Sequence, residues 1–151
     1  GVRVHPIGLH TEDQHVPLYH GDGDSIMASI LPRTVNTDES EMVTLRSGRG
    51  WAAEHGIDRI DILKVDVEGC ETEVLESLAD LLPTVKALYV EYDSRQAARD
   101  LDRLLDATHE LYTGVMFLDQ GECVYLRKDI ADLPEATEHL RRQLTAGLQS
   151  S

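Results

Sequence analysis

Cysteine is nearly missing from this chain: Cys70 and Cys123 are the only two. They stand far apart and without partners at ligand spacing, which excludes a disulfide framework or a structural zinc site. Basic residues are short as well, 14 Lys and Arg against 28 Asp and Glu, for a formal net charge of −14. Nucleic acid and anionic membrane surfaces are both bound through basic patches, so neither is expected as a partner. No apolar run approaches the roughly 20 residues of a membrane-spanning helix, and the N-terminus lacks a signal-peptide pattern. Aromatics are sparse, with one Trp, one Phe and five Tyr, so aliphatic side chains must fill the core. These absences predict a protein of a reducing, cytoplasmic compartment. At 151 residues the chain is long enough for one domain with a sizeable core.

The most informative stretch runs from Ile60 to Glu71, IDILKVDVEGCE. It reads as a strand leading straight into a helix. Side chains alternate faces along a strand, so Lys64, Asp66 and Glu68 are predicted on one side and Leu63, Val65 and Val67 on the other. Charges on a buried strand are unexpected, because such strands are near-continuous apolar runs. Gly69 follows where a sharp strand-to-helix turn needs a permissive residue. A helix is predicted from Cys70 to Leu82, with Val74, Leu75, Leu78, Leu81 and Leu82 on one stripe and Pro83 as its stop. Glu71 and Glu73 lie in its first turn, where negative charge suits the helix dipole. This is the βα unit of an α/β fold, and charges at the carboxyl end of its strand sit where open α/β sheets hold ligands.

The remaining elements follow in order. Val2 and Val4 suggest a short strand that Pro6 interrupts, and a second strand is expected around Val16 and Leu18. Gly21 to Asp24 reads as a turn, and Pro32 to Ser40 as a polar loop. Met42 to Leu45 is a brief strand, followed by a short helix from Gly50 to His55 whose Trp51 is expected over the core. Val85 to Tyr92 is the next strand, ending near Glu91. Asp93 or Ser94 caps a helix that runs to Ala107 with Ala97, Leu101, Leu104 and Leu105 inward. Leu111 to Leu118 and Cys123 to Arg127 flank a four-residue loop that fits a β-hairpin. Residues 1–128 thus form an α/β domain, and an amphipathic tail helix within 129–151 is expected to pack on it. His5, His10, His15 and His20 recur every five residues, which matches neither the strand nor the helix period. They, His55, His109 and His139 read as exposed loop histidines. Asp22/Asp24 and Asp38/Glu39/Glu41 lack the ligand spacing of a calcium loop.

The segment Ile60 to Leu75 resembles the signature of the FkbM-type family of S-adenosylmethionine-dependent methyltransferases, K-x-D-x-E-G-x-E. Here that core is Lys64, Asp66, Glu68, Gly69 and Glu71. The resemblance covers about Val2 to Arg127 and implies a Rossmann-like class I methyltransferase sheet. It starts near the family's third strand, so the sheet is incomplete: the first two strands, the glycine-rich cofactor loop and the acid that holds the ribose fall outside it. The chain is accordingly expected to be the C-terminal part of a longer enzyme; the alternative is that another chain or a rearrangement covers the sheet edge those strands would pair. At the family's V-x-T-L-D segment, Val43-Thr44-Leu45 is followed by Arg46 in place of the usual Asp.

The resemblance implies S-adenosylmethionine as cofactor, with Leu9 at the end of the first strand as the residue beside it. It implies a small-molecule hydroxyl as acceptor, on a sugar, lipid or secondary metabolite. Asp66 or Glu68 is the candidate base or substrate-orienting carboxylate, Lys64 their charge partner and Glu91 a further candidate. The Lys64–Asp66 pair reads equally as a structural ion pair. Mg²⁺ held by the two carboxylates is the less favoured alternative, because one strand rarely supplies a full oxygen shell. A non-catalytic binding or assembly module of the same fold is the rival class.

Overall fold

A computed structural model describes residues 1–20, 28–31, 40–139 and 142. The expected turn at Gly21 to Asp24, the loop after Pro32 and the far part of the tail helix lie outside them. The acidic residues Asp22, Asp24, Asp38 and Glu39 are outside them too.

Extended segments in the first third are rich in Val and Leu but short, and they build a small sheet. Strand β1 is Gly8–His10, β2 is Gln14–His20, β3 is Ala28–Ser29 and β4 is Ser40–Ser47. Their order is β1-β4-β2-β3; β1 runs parallel to β4, whereas β2 is antiparallel to both its neighbours. The strand expected at Val2 and Val4 does not form, and both side chains are exposed. Pairing begins only after Pro6, whose missing N–H cannot join a ladder.

Helix α1, Gly48–Glu54, starts on Ser47, whose hydroxyl accepts from the Gly50 amide. The chain then enters a second sheet. Strand β5 is Ile62–Val65, and helix α2, Glu71–Ser77, carries it over to β6, Ala87–Tyr92, as a parallel crossover. The helix is shorter than its apolar stripe predicts. Ser77 turns its hydroxyl back to the Val74 carbonyl, and the Leu78 amide drops to Leu75, which tightens and ends the helix. A 3₁₀ turn at Leu82–Thr84, with Pro83 inside it, delivers the chain to β6.

Helix α3, Arg95–Leu105, is capped by Ser94, whose hydroxyl accepts from the Ala97 amide at 3.1 Å. Strands β7, His109–Met116, and β8, Gly121–Arg127, form the antiparallel hairpin, closed where the Phe117 amide donates to the Gln120 carbonyl. The sheet order is β5-β6-β8-β7, with β8 antiparallel to β6. A single-turn helix α4, Lys128–Ala131, follows, and residues 134–139 are helical. The Tyr112 hydroxyl donates to the Ala136 carbonyl of that last segment.

The result is an α/β fold with two mixed sheets. The core lies where Val65, Leu88, Val90 and Tyr92 meet Val74 and Leu75 of α2, Leu78 at its C-cap, and Leu101 and Leu105 of α3. Cys70 and Cys123 are both buried. The opposite face of the second sheet is open among the described residues: Ile62, Tyr89 and Val115 are exposed there. No described helix is long and apolar enough to cross a membrane.

Several single-residue expectations are overturned: His10 lies in β1, His15 and His20 lie in β2 and His139 in the helical segment after α4, none of them in a loop. His109 is not an exposed loop residue; it is 3% exposed at the start of β7. Its Nε2–H donates to the Val85 carbonyl at 2.9 Å, and its Nδ1 faces the Thr108 hydroxyl at 2.8 Å. Trp51 is outside the core and stacks on His55 at 4.1 Å, with the ring of His5 edge-on at 5.0 Å.

Candidate functional site

The alternation that would set Lys64, Asp66 and Glu68 on one face ends at Val65, the last residue of β5. Lys64 still points to the open face, and its Nζ lies 2.6 Å from Asp66 Oδ2. That hydrogen bond holds the ammonium above its usual titration range. From Asp66 onward the backbone leaves the strand as a tight loop. Glu68 takes φ 56° and Gly69 φ 106°, so two consecutive residues sit outside the ordinary right-handed and extended regions.

The loop is held from beneath by Glu71. This glutamate is 3% exposed and is the first residue of α2. Its Oε1 accepts from the Val67 amide at 3.2 Å, and both carboxylate oxygens accept from the Gly69 amide at 3.1 Å. A buried carboxylate that receives backbone amides is satisfied, which explains how the acid tolerates its burial. The dipole argument gave Glu71 a structural part; its actual bonds are to the loop that carries the candidate acids. The Ser29 hydroxyl of β3 donates to the Glu68 carbonyl at 2.9 Å.

Three hollows surround this loop. A cavity of about 880 Å³ opens between the two sheets and is lined by Leu9, Ser29, Thr44, Asp66, Glu68 and Cys70, among others. A second, of about 600 Å³, lies on the other side of Glu68 against Glu91, Tyr92, Phe117 and Glu122. The third, about 300 Å³, is a shallow depression on the open sheet face by Lys64, Tyr89 and Glu91. Leu9, Asp66 and Glu68 therefore share one cavity, while Lys64 and Glu91 stand outside it and border the neighbouring ones.

Glu91 is half-buried and faces Glu122 across the β6–β8 ladder. Burial raises its carboxyl above the ordinary range, and Asp66, Glu122 and Glu68 push it further, with Lys64 opposing them. Among the described residues, no group of three or more His, Cys, Asp or Glu is arranged to hold a metal ion. Arg46, where the family usually has Asp, bridges Asp13 at 3.0 Å and Glu54 at 2.7 Å. It ties β4 to α1 and to the turn before β2, away from the loop.

Two G-x-G triplets occur in the chain. Gly21-Asp22-Gly23 lies outside the described residues. Gly48-Arg49-Gly50 follows β4 and, with Ala53, spells G-x-G-x-x-A at the start of α1. Its first glycine serves packing: a Cβ on Gly48 would collide with Ser77 at the end of α2 and crowd Leu78 just after it. Ser29 could not have been selected from sequence, because its bond to Glu68 spans 39 positions.

A family model described as the methyltransferase FkbM domain matches residues 6–122. No curated protein and no solved structure matches the chain.

Proposed function

From the premise that this chain belongs to the FkbM methyltransferase domain family, we propose that it acts in S-adenosylmethionine-dependent O-methylation of a small-molecule hydroxyl. The observation that carries this reading is the sharing of one cavity of about 880 Å³ by Leu9, Asp66 and Glu68 at the carboxyl end of β5. That volume is within the ~300–1,000 Å³ of typical small-molecule sites, and the end of a parallel strand is where open α/β sheets take ligands.

The residues present fit a cationic cofactor with an apolar body. Leu9 offers an apolar wall, and Asp66 and Glu68 offer negative charge to a sulfonium and an ammonium group. When bound, S-adenosylmethionine supplies an electrophilic methyl carbon. The chain's own residues supply orientation and a proton acceptor. Asp66 or Glu68 orients the acceptor hydroxyl and takes its proton as the oxygen attacks. Lys64 holds Asp66 pointed along the strand end through their 2.6 Å contact. Glu91, with its raised affinity for a proton, is suited to receive that proton from its neighbours. The acceptor is a hydroxyl on a sugar, lipid or secondary metabolite. Mg²⁺ is not favoured, since among the described residues the two loop carboxylates belong to no group of three or more His, Cys, Asp or Glu arranged for a metal.

Calorimetric titration of the purified chain with S-adenosylmethionine tests the reading. A micromolar dissociation constant supports it; no heat up to ~1 mM, where binding would be worth only about 4 kcal/mol, removes it for this chain. Asp66→Asn is expected to lower methyl transfer by about 10²-fold or more if Asp66 is the base.

A second reading has its own observation. Among the described residues β5 pairs only with β6, so its other edge is open, as expected if the sheet lacks its first two strands. A non-catalytic module that docks through this edge fits that arrangement. The same titration separates the two, because a scaffold has no reason to bind the methyl donor.

A further inference from the structure

Glu68 is the one non-glycine residue with positive φ among those described. A side chain with a Cβ is disfavoured in that region, so the surrounding structure must over-determine it. One peptide group does this. The bond between Glu68 and Gly69 is gripped at its N–H by the buried Glu71 carboxylate. Its C=O is gripped by the Ser29 hydroxyl. The first grip is local, from two residues along the chain. The second crosses from the other sheet.

Ser29 is itself oriented for this task. Its oxygen accepts from the Leu31 amide at 3.2 Å, which leaves the hydroxyl proton directed to Glu68. Ser29 and Glu68 both line the cavity of about 880 Å³, so the bond joins two of its walls. We propose that Ser29 is a positioning residue, whose hydroxyl fixes the Glu68–Gly69 peptide and thereby aims the Glu68 carboxylate at the cavity. The proposal rests on the reading of that cavity as the methyl-transfer site. It adds a residue that the family signature does not contain. Loss of the hydroxyl frees the carbonyl end of the peptide and leaves Glu71 as its one remaining anchor, so the group rocks and its N–H opens to exchange more often. Aim is lost before stability, and a misplaced reacting group is costly in rate.

The test compares Ser29→Ala and Ser29→Thr with the unaltered chain, uniformly labelled for amide NMR. In Ser29→Ala the Glu68 and Gly69 amide signals should move, and exchange protection of the Gly69 amide should fall by up to about tenfold, the range of one net hydrogen bond. Thermal stability should fall by no more than about 2–4 °C, the shift that 1 kcal/mol produces in a chain of this size. Ser29→Thr, which keeps the hydroxyl, should restore signals and protection. In a methyl-transfer assay with S-adenosylmethionine and octyl glucoside as probe, Ser29→Ala should lower kcat with KM for the donor unchanged. Unaltered Gly69 protection in Ser29→Ala, or no recovery in Ser29→Thr, overturns the proposal. If the unaltered chain transfers no methyl group, the functional reading fails while the exchange data still decide the role of Ser29.

Discussion

A single buried acid shows how the loop is built. Glu71 satisfies the amides of Val67 and Gly69 from a nearly inaccessible position. Glu71→Ala leaves those amides unpaired and is expected to cost about 1–3 kcal/mol in urea unfolding, with Glu71→Gln losing less. Glu91 works against stability. Its raised carboxyl favours the protonated form in the folded state, so its stabilising contribution is complete below its unfolded value near ~4.3 and is lost as pH rises through the folded value. Glu91→Gln, which also relieves the like charge of Glu122 opposite, should gain about 0.2–1 kcal/mol at pH 7. The gain should vanish near pH 4; a loss at pH 7 would contradict the account. His109 has the opposite sign. Burial lowers its affinity for a proton, so below ~6.5 the unfolded chain takes up the proton first and stability falls with pH. Thermal melts between pH 7.5 and 5 should show that fall, and His109→Gln should flatten it.

At the scale of elements, strand β5 ends where the charges begin. Four residues of strand feed a loop and then a seven-residue helix. The helix is anchored on the sheet by apolar contact rather than by its length, since short helices are marginal alone. Leu101 of α3 is fully buried against that layer. Leu101→Ala is expected to cost about 2–5 kcal/mol, read from the midpoint of denaturant unfolding. The hairpin depends on a close approach. A Cβ on Gly114 would lie 2.5 Å from the Glu122 carbonyl oxygen of β8. Gly114→Ala should therefore destabilise by about 1–3 kcal/mol through displaced backbone. A neutral outcome would show that the register shift between Leu111 and Thr113 of β7 can absorb the methyl group.

For the molecule as a whole, the acidic excess is the dominant long-range term. A net charge of −14 on 151 residues opposes compaction through self-repulsion. Raising NaCl from ~10 mM to ~500 mM shrinks the screening length severalfold and should raise the melting temperature. A lower melting temperature in salt would mean that local ion pairs such as Arg46 with Asp13 and Glu54 outweigh the global field. The two faces of the second sheet are unequal: α2 and α3 cover one, while Ile62, Tyr89 and Val115 stay exposed on the other.

Much of this architecture was readable from periodicity. Parallel strands β5 and β6 around a helix, Ser94 as a cap and the hairpin of β7 and β8 follow from local rules that act over a few positions, whereas the eight-residue signature speaks only through its resemblance to a family. Local rules also misled. Strict alternation put Lys64, Asp66 and Glu68 on one face, but alternation holds only while the backbone stays extended, and it stops at Val65. Burial of His109 against Val85, the bond from Ser29 to Glu68 and the pairing of Arg46 join positions 8 to 39 residues apart. Such pairs have no spacing signature, because the intervening chain can close the distance in many ways. Residue types and their order were enough to name a methyltransferase-like α/β chain and its acids. Which of those acids share a cavity was settled only when two sheets packed together and one strained peptide was held between them.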